Sequence, residues 1–192
     1  MKTVLCYGDS LTWGYNAETL DRHAHGDRWP SVLAKALGPD VTVIAEGLNG
    51  RTTAYDDPID LVILFLGAND MKPVICGTAF GAVQGMERLV ELVRRHAWSF
   101  GDAEGPEVLI VSPPPLCETA NTAFAAMFAG GVEQSAMLAT LYADLADETG
   151  CGFFDAGSVA ETTPLDGVHL DAKNTRAIGK GLEPIVRMML GL

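Results

Sequence analysis

Basic residues are scarce in this chain: 13 Lys and Arg stand against 25 Asp and Glu in 192 residues, a formal net charge of −12 at pH 7. Such a surface repels phosphate backbones and anionic lipid headgroups, so neither nucleic acid nor a membrane is an expected partner. Long apolar runs are missing too. The run Val4-Leu5-Cys6-Tyr7 is too short for the core of a signal peptide, and no stretch approaches the ~20 residues of a membrane span. The expected location is therefore the cytoplasm. Cysteine is sparse, and Cys6, Cys76, Cys117 and Cys151 form no Cys-x-x-Cys pair, which argues against a disulfide framework. Neither G-x-x-x-x-G-K-[ST] nor G-x-G-x-x-G occurs, so no phosphate-cradling loop is expected, and no cofactor. Repeats, low-complexity tracts and linkers are absent as well, so residues 1–192 read as one domain.

What is present is alternation. Short apolar, β-branched or aromatic runs at 3–7, 41–45, 61–66, 108–111 and 152–154 are bounded by Gly, Pro, Asp or Ser and predict strands. Longer patterns at 29–37, 80–96, 131–149 and 172–189 predict helices; in the second, Val83, Met86, Leu89, Val90 and Val93 recur at spacings of three and four. Strands alternating with helices imply an α/β fold with a parallel sheet covered on both faces. One connection is too short. Between Ala45 and Leu61, once the Gly-containing loop at 47–53 is set aside, only Ala54-Tyr55-Asp56-Asp57-Pro58-Ile59-Asp60 remains, with no helical pattern. A parallel crossover normally needs a dozen or more residues. We therefore expect residues to be missing between Asp57 and Pro58; the other reading is a bare loop.

Four segments carry the chemistry. Gly8-Asp9-Ser10-Leu11-Thr12 follows the first strand, at the carboxyl edge where open α/β sheets bind ligands. Gly67-Ala68-Asn69-Asp70 follows the third. In a flavodoxin-like strand order, 2-1-3-4-5, these two edges are neighbours, and an Asn amide beside a Ser hydroxyl can donate to a developing oxyanion. Glu46-Gly47-Leu48-Asn49-Gly50-Arg51-Thr52-Thr53 follows the second strand, where the Gly50 N–H is a second candidate donor. Asp166-Gly167-Val168-His169 stands between the last strand and the last helix. A Ser nucleophile needs a base, and the base needs an acceptor to fix its tautomer; an Asp three residues before a His across a Gly turn can supply both. Each segment alone also reads as a cap or turn. Together, at the same sheet edge, they point to one site.

Other residues weigh less. Asp21, His23, His25 and Asp27 include a His-x-His spacing, but the stretch reads as a solvated polar loop and no metal is expected. Trp13, Tyr15, Met127 and Phe128 are candidates for a substrate pocket, as is Asp9, although aromatics and Met are commonly plain core.

These blocks resemble the SGNH (GDSL-type) hydrolases over nearly the whole chain, most closely their bacterial arylesterase/acyltransferase branch. GDSLTWG stands at Gly8 to Gly14, EGL-x-x-RTT at Glu46 to Thr53, LG-x-ND at Leu66 to Asp70, VSPPPL at Val111 to Leu116 and DG-x-H at Asp166 to His169. The resemblance implies a three-layer α/β/α flavodoxin-like fold with a five-stranded parallel sheet. It implies a serine esterase acting on short-chain and aryl esters, with Ser10, His169 and Asp166 as catalytic triad. The oxyanion hole would come from the Ser10 and Gly50 N–H groups and the Asn69 side chain. It further implies no cofactor, a homo-oligomer, and acyl transfer to alcohols or peroxide as an alternative to hydrolysis. Relatives carry a longer insert near Asp57–Pro58, and some carry Trp where Tyr15 stands. Three rival readings remain: a carbohydrate acetylesterase on the same site, a catalytically silent binding module, and, more remotely, a flavin-binding protein.

Overall fold

A computed structural model of the chain describes residues 2–49, 59–95 and 105–192. Strand β1 (Lys2–Gly8) leads into a short helix α1 (Ser10–Trp13) and a small hairpin of β2 (Tyr15–Asn16) and β3 (Asp21–Arg22). Then follow α2 (Trp29–Leu37), β4 (Val41–Gly47), β5 (Leu61–Phe65), α3 (Ala79–Arg95) and β6 (Glu107–Ser112). Helices α4 (Thr122–Met127), α5 (Gly131–Ser135) and α6 (Leu138–Thr149), strand β7 (Gly152–Asp155) and helix α7 (Ala172–Leu190) complete the order. Gly50 and the Asp57–Pro58 junction lie outside the described residues, and so do their expected roles.

The main sheet runs β4-β1-β5-β6-β7, all parallel. Counting only its own strands in chain order, this is 2-1-3-4-5, as the sequence predicts. Side chains alternate across the sheet, so the unbroken apolar run of β5 feeds two cores. Leu61, Ile63 and Phe65 join Trp29, Leu33, Ile178 and Leu182 of α2 and α7 on one face. Val62 and Leu64 join Met86, Val90, Leu138 and Tyr142 of α3 and α6 on the other. The helices of the first face approach closely because Gly179 has no side chain; a Cβ there would sit 2.7 Å from the Trp29 carbonyl oxygen. No helix among the described residues is long and apolar enough to cross a membrane.

One predicted helix divides. The stretch 131–149 forms α5 and α6, with a tighter turn at Ala136–Met137 where the Met137 N–H bonds the Gln134 carbonyl at 3.1 Å. Ser135 accounts for the break. Its hydroxyl donates to the Val132 carbonyl, 2.9 Å, and accepts the Leu116 N–H, also 2.9 Å, pinning α5 to the chain leaving β6.

Candidate active site

The carboxyl ends of β1 and β5 are adjacent in the sheet, which is what brings Ser10 and Asn69 together. Asp9 caps α1: its Oδ1 accepts the Leu11 N–H at 3.0 Å. Ser10 is the first residue of that helix. The turn is compressed against the end of β4. A Cβ on Gly47 would lie 2.1 Å from the Trp13 nitrogen, and one on Gly8 would lie 2.2 Å from Thr12 Oγ1. Glycine at both positions lets the loop fold tightly over the sheet edge.

After β5, Gly67 takes φ +128°, and the next turn, Asn69–Met71, presents the Asn69 amide. One of its N–H groups donates to Asp9 Oδ2 at 3.3 Å, and the amide keeps a second for another acceptor. Asp9 is buried, and this burial pushes its carboxyl from the ordinary 3.8 up to about 6. The Leu11 N–H and the His169 ring favour its charged form, while nearby Asp70 opposes it. Burial likewise raises Asp70.

The loop before α7 is closed by the Thr163 N–H on the His169 carbonyl, 2.8 Å, and the Gly167 N–H on the Thr163 carbonyl, 2.9 Å. Gly167 sits at φ +78° against the Cys117 carbonyl, where any side chain would clash. Within this turn Asp166 Oδ1 accepts the N–H groups of Val168, 3.0 Å, and His169, 2.9 Å, leaving Oδ2 for His169 Nδ1 at 2.7 Å. Burial alone would raise the Asp166 carboxyl; the hydrogen bonds from the ring and the two backbone N–H groups outweigh it and hold the group below its usual range. An ionised carboxylate only accepts, so Nδ1 carries the proton and Nε2 is left as an acceptor. Nε2 lies 3.3 Å from Ser10 Oγ. Such contacts are commonly long without substrate and tighten when it binds.

Ser10, His169, Asn69 and Asp9 share a cavity of ≈ 620 Å³. Tyr15, Met127 and Phe128 line it. Trp13 does not, contrary to the sequence expectation. Its carbonyl accepts from Arg22 Nε at 2.5 Å and its ring lies under the Arg22 guanidinium, 5.0 Å from the centroid. Tyr15 instead packs tilted at 45° against the imidazole, with centroids 4.5 Å apart, and Phe124 makes a T-shaped contact with it at 6.1 Å. Sequence reading missed Phe124, whose six-residue helix has too little length to show a period. It also missed Ala82, Gly85 and Leu89 as cavity wall, although the three-and-four spacing of α3 held the signal.

The His23 region also differs from its expected solvated loop. His23 is buried and its Nε2 is 3.0 Å from the Leu170 carbonyl, directly after His169, whereas His25 lies outside near Ser31. The chain therefore uses His23 to hold the segment that carries His169.

A serine hydroxyl facing an imidazole whose far nitrogen is held by a carboxylate can act as a nucleophile with a general base. A family model, the GDSL-like lipase/acylhydrolase family, matches residues 6–176. The chain belongs to the GDSL-like lipase/acylhydrolase family. It is a carboxylic ester hydrolase. A solved carbohydrate acetylesterase family member from Sinorhizobium meliloti is 71% identical over all of both chains, with a TM-score of 0.96. The aryl esterase of M. smegmatis is 39% identical over 98% of this chain and all of its own, TM-score 0.89. A second carbohydrate acetylesterase from S. meliloti is 36% identical over 98% and 100%, TM-score 0.90. A search of curated proteins found no match.

Proposed function

We propose that this GDSL-family hydrolase cleaves short-chain and aryl carboxylic esters through an acyl-enzyme on Ser10. His169 Nε2 takes the hydroxyl proton as Oγ attacks the ester carbonyl, and Asp166 stabilises the imidazolium that forms. The free Asn69 N–H and the Ser10 backbone N–H receive the charge that develops on the carbonyl oxygen. His169 then protonates the leaving alkoxide, and a water deprotonated by the same nitrogen releases the acid. Phenols leave with little protonation, so aryl acetates are the fastest expected substrates.

What carries this reading is the hydrogen-bonded chain from Ser10 Oγ through His169 to Asp166 at a cavity containing Asn69. Tyr15 and Phe124 support it by packing their rings against the imidazole, centroids 4.5 and 6.1 Å away, which limits how far it can turn from Ser10. Ser10→Ala tests it: hydrolysis of an aryl acetate falls by at least ~10³-fold. Near-normal turnover would refute the nucleophile. A second reading, deacetylation of acylated sugars, is favoured by the 71% identical acetylesterase family member. Acetylated sugars compared with aryl acetates in one assay separate the two.

A further inference from the structure

The cavity beside Ser10 is walled largely by apolar side chains, among them Met86 and Leu89 of α3 and Phe124 and Phe128 at α4. Among the described residues of the wall stands one Lys, Lys72. Lys72 follows the Asn69–Met71 turn directly, and its N–H bonds the Asn69 carbonyl at 3.2 Å, so one turn carries both the oxyanion amide and an ammonium. Its side chain is half-buried, with Nζ 5.1 Å from the centroid of the buried Phe128 ring. Lys72 forms no ion pair with any carboxylate among the described residues. Of the two carboxyls that share its cavity, Asp9 is committed to Leu11 and Asn69, and Asp70, which makes no ion pair with Lys72 among the described residues, has its charged form disfavoured by burial. An ammonium laid on an aromatic face has lost part of its water and gained only a weak partner, so an anionic ligand arriving there replaces lost solvation.

An apolar wall running from a serine nucleophile to such a cation fits a substrate that is an ester at one end, hydrocarbon in the middle and anionic at the other. We propose that Lys72 makes the cavity selective for acyl groups ending in a carboxylate, that is, for monoesters of dicarboxylic acids. The proposal rests on Ser10 being the nucleophile and names the substrate class of that same site. The net charge of −12 repels such a substrate at long range, so the preference must be read as a ratio between enzymes of nearly equal total charge.

The experiment measures kcat/KM for monoesters of succinic, glutaric and adipic acid against neutral esters of matched chain length, with uncatalysed hydrolysis subtracted. In Lys72→Met the anionic-to-neutral ratio falls about tenfold at the best-fitting length, chiefly through KM, as expected for a partly desolvated charge pair. In Lys72→Arg the ratio is largely kept. A ratio unchanged in Lys72→Met at every length overturns the proposal, and so does an equal fall on both substrate types, which marks a structural role. Failure of the nucleophile reading is separable, because it shows as Ser10→Ala activity on the neutral esters.

Discussion

Replacing Asp9 with asparagine should stabilise the protein at neutral pH while impairing it as a catalyst. Asp9 is 3% exposed, and burial lifts its carboxyl from 3.8 to about 6. Between those values the folded chain binds more protons than the unfolded chain, so unfolding free energy falls as pH rises through the window. Above it the loss is complete. At ~1.4 kcal/mol per tenfold change in proton affinity, it amounts to about 3 kcal/mol. Asp166 acts with the opposite sign and in another range: its lowered carboxyl contributes stability above 3.8 that is lost as pH falls below. Asp70 is raised like Asp9 and adds to the wild-type slope, so only the difference between wild type and Asp9→Asn isolates Asp9. His169 and Asp70 face the group and are present in both proteins. Urea unfolding from pH 4 to 8 at constant ionic strength should show that difference moving by about 2.4 kcal/mol in favour of the variant, the rest of the change lying below pH 4. Asparagine can still accept the Leu11 N–H, but its NH2 then opposes the NH2 of Asn69, and that amide must turn away. Turnover therefore falls as stability rises. A stability difference that stays flat across the window would refute the assignment of a buried, titrating Asp9.

Asn69→Ala should lower kcat by about 10²–10³-fold with little change in KM, because the amide serves an oxygen charged only in the transition state; equal losses in binding would count against that. Asp166→Asn leaves an oxygen for the two backbone N–H groups but presents a donor where His169 Nδ1 needs an acceptor, so kcat falls by about 10⁴, and thermal stability falls with it because the charge-assisted bonds are lost. Gly47→Ala drives a methyl into the Trp13 backbone, and urea unfolding should show a loss of about 2–3 kcal/mol together with lost activity, since Ser10 sits on the same turn.

The sheet was legible because β5 reads as an unbroken apolar run and the other main strands are bounded by turn residues. Ser10, Asn69, Asp166 and His169 were legible because each stands where a strand or its following loop ends at one edge. What the sequence hid depends on residues distant along the chain. Trp13 and Tyr15 are two residues apart and both aromatic; Tyr15 meets the imidazole, whereas Trp13 lies under the Arg22 guanidinium, a pairing set by the fold. His23 looks like a loop histidine until Leu170 returns to cover it. The helical pattern of 131–149 is sound, yet Leu116 takes the Ser135 hydroxyl and breaks it. Phe124 gave no signal because a helix of six residues barely completes a period.

The reading of Asp9 and Asp166 as helix or turn caps and their reading as site residues are not alternatives. Asp166 spends one oxygen on the N–H groups of Val168 and His169 and the other on the imidazole, so the cap fixes the carboxylate that holds the ring of the proposed base. Asp9 divides itself likewise between Leu11 and Asn69. The energies separate them. The bonds to Asp166 more than offset its burial, so that residue stabilises the fold while it serves the site. The roughly 3 kcal/mol that the Asp9 charge costs at neutral pH is what remains after its bond to the Leu11 N–H has been counted. A serine or asparagine would cap α1 without that cost. The stability of the turn therefore does not account for a carboxylate at position 9; what the carboxylate adds to a simple cap is its second contact, the bond accepted from the Asn69 amide.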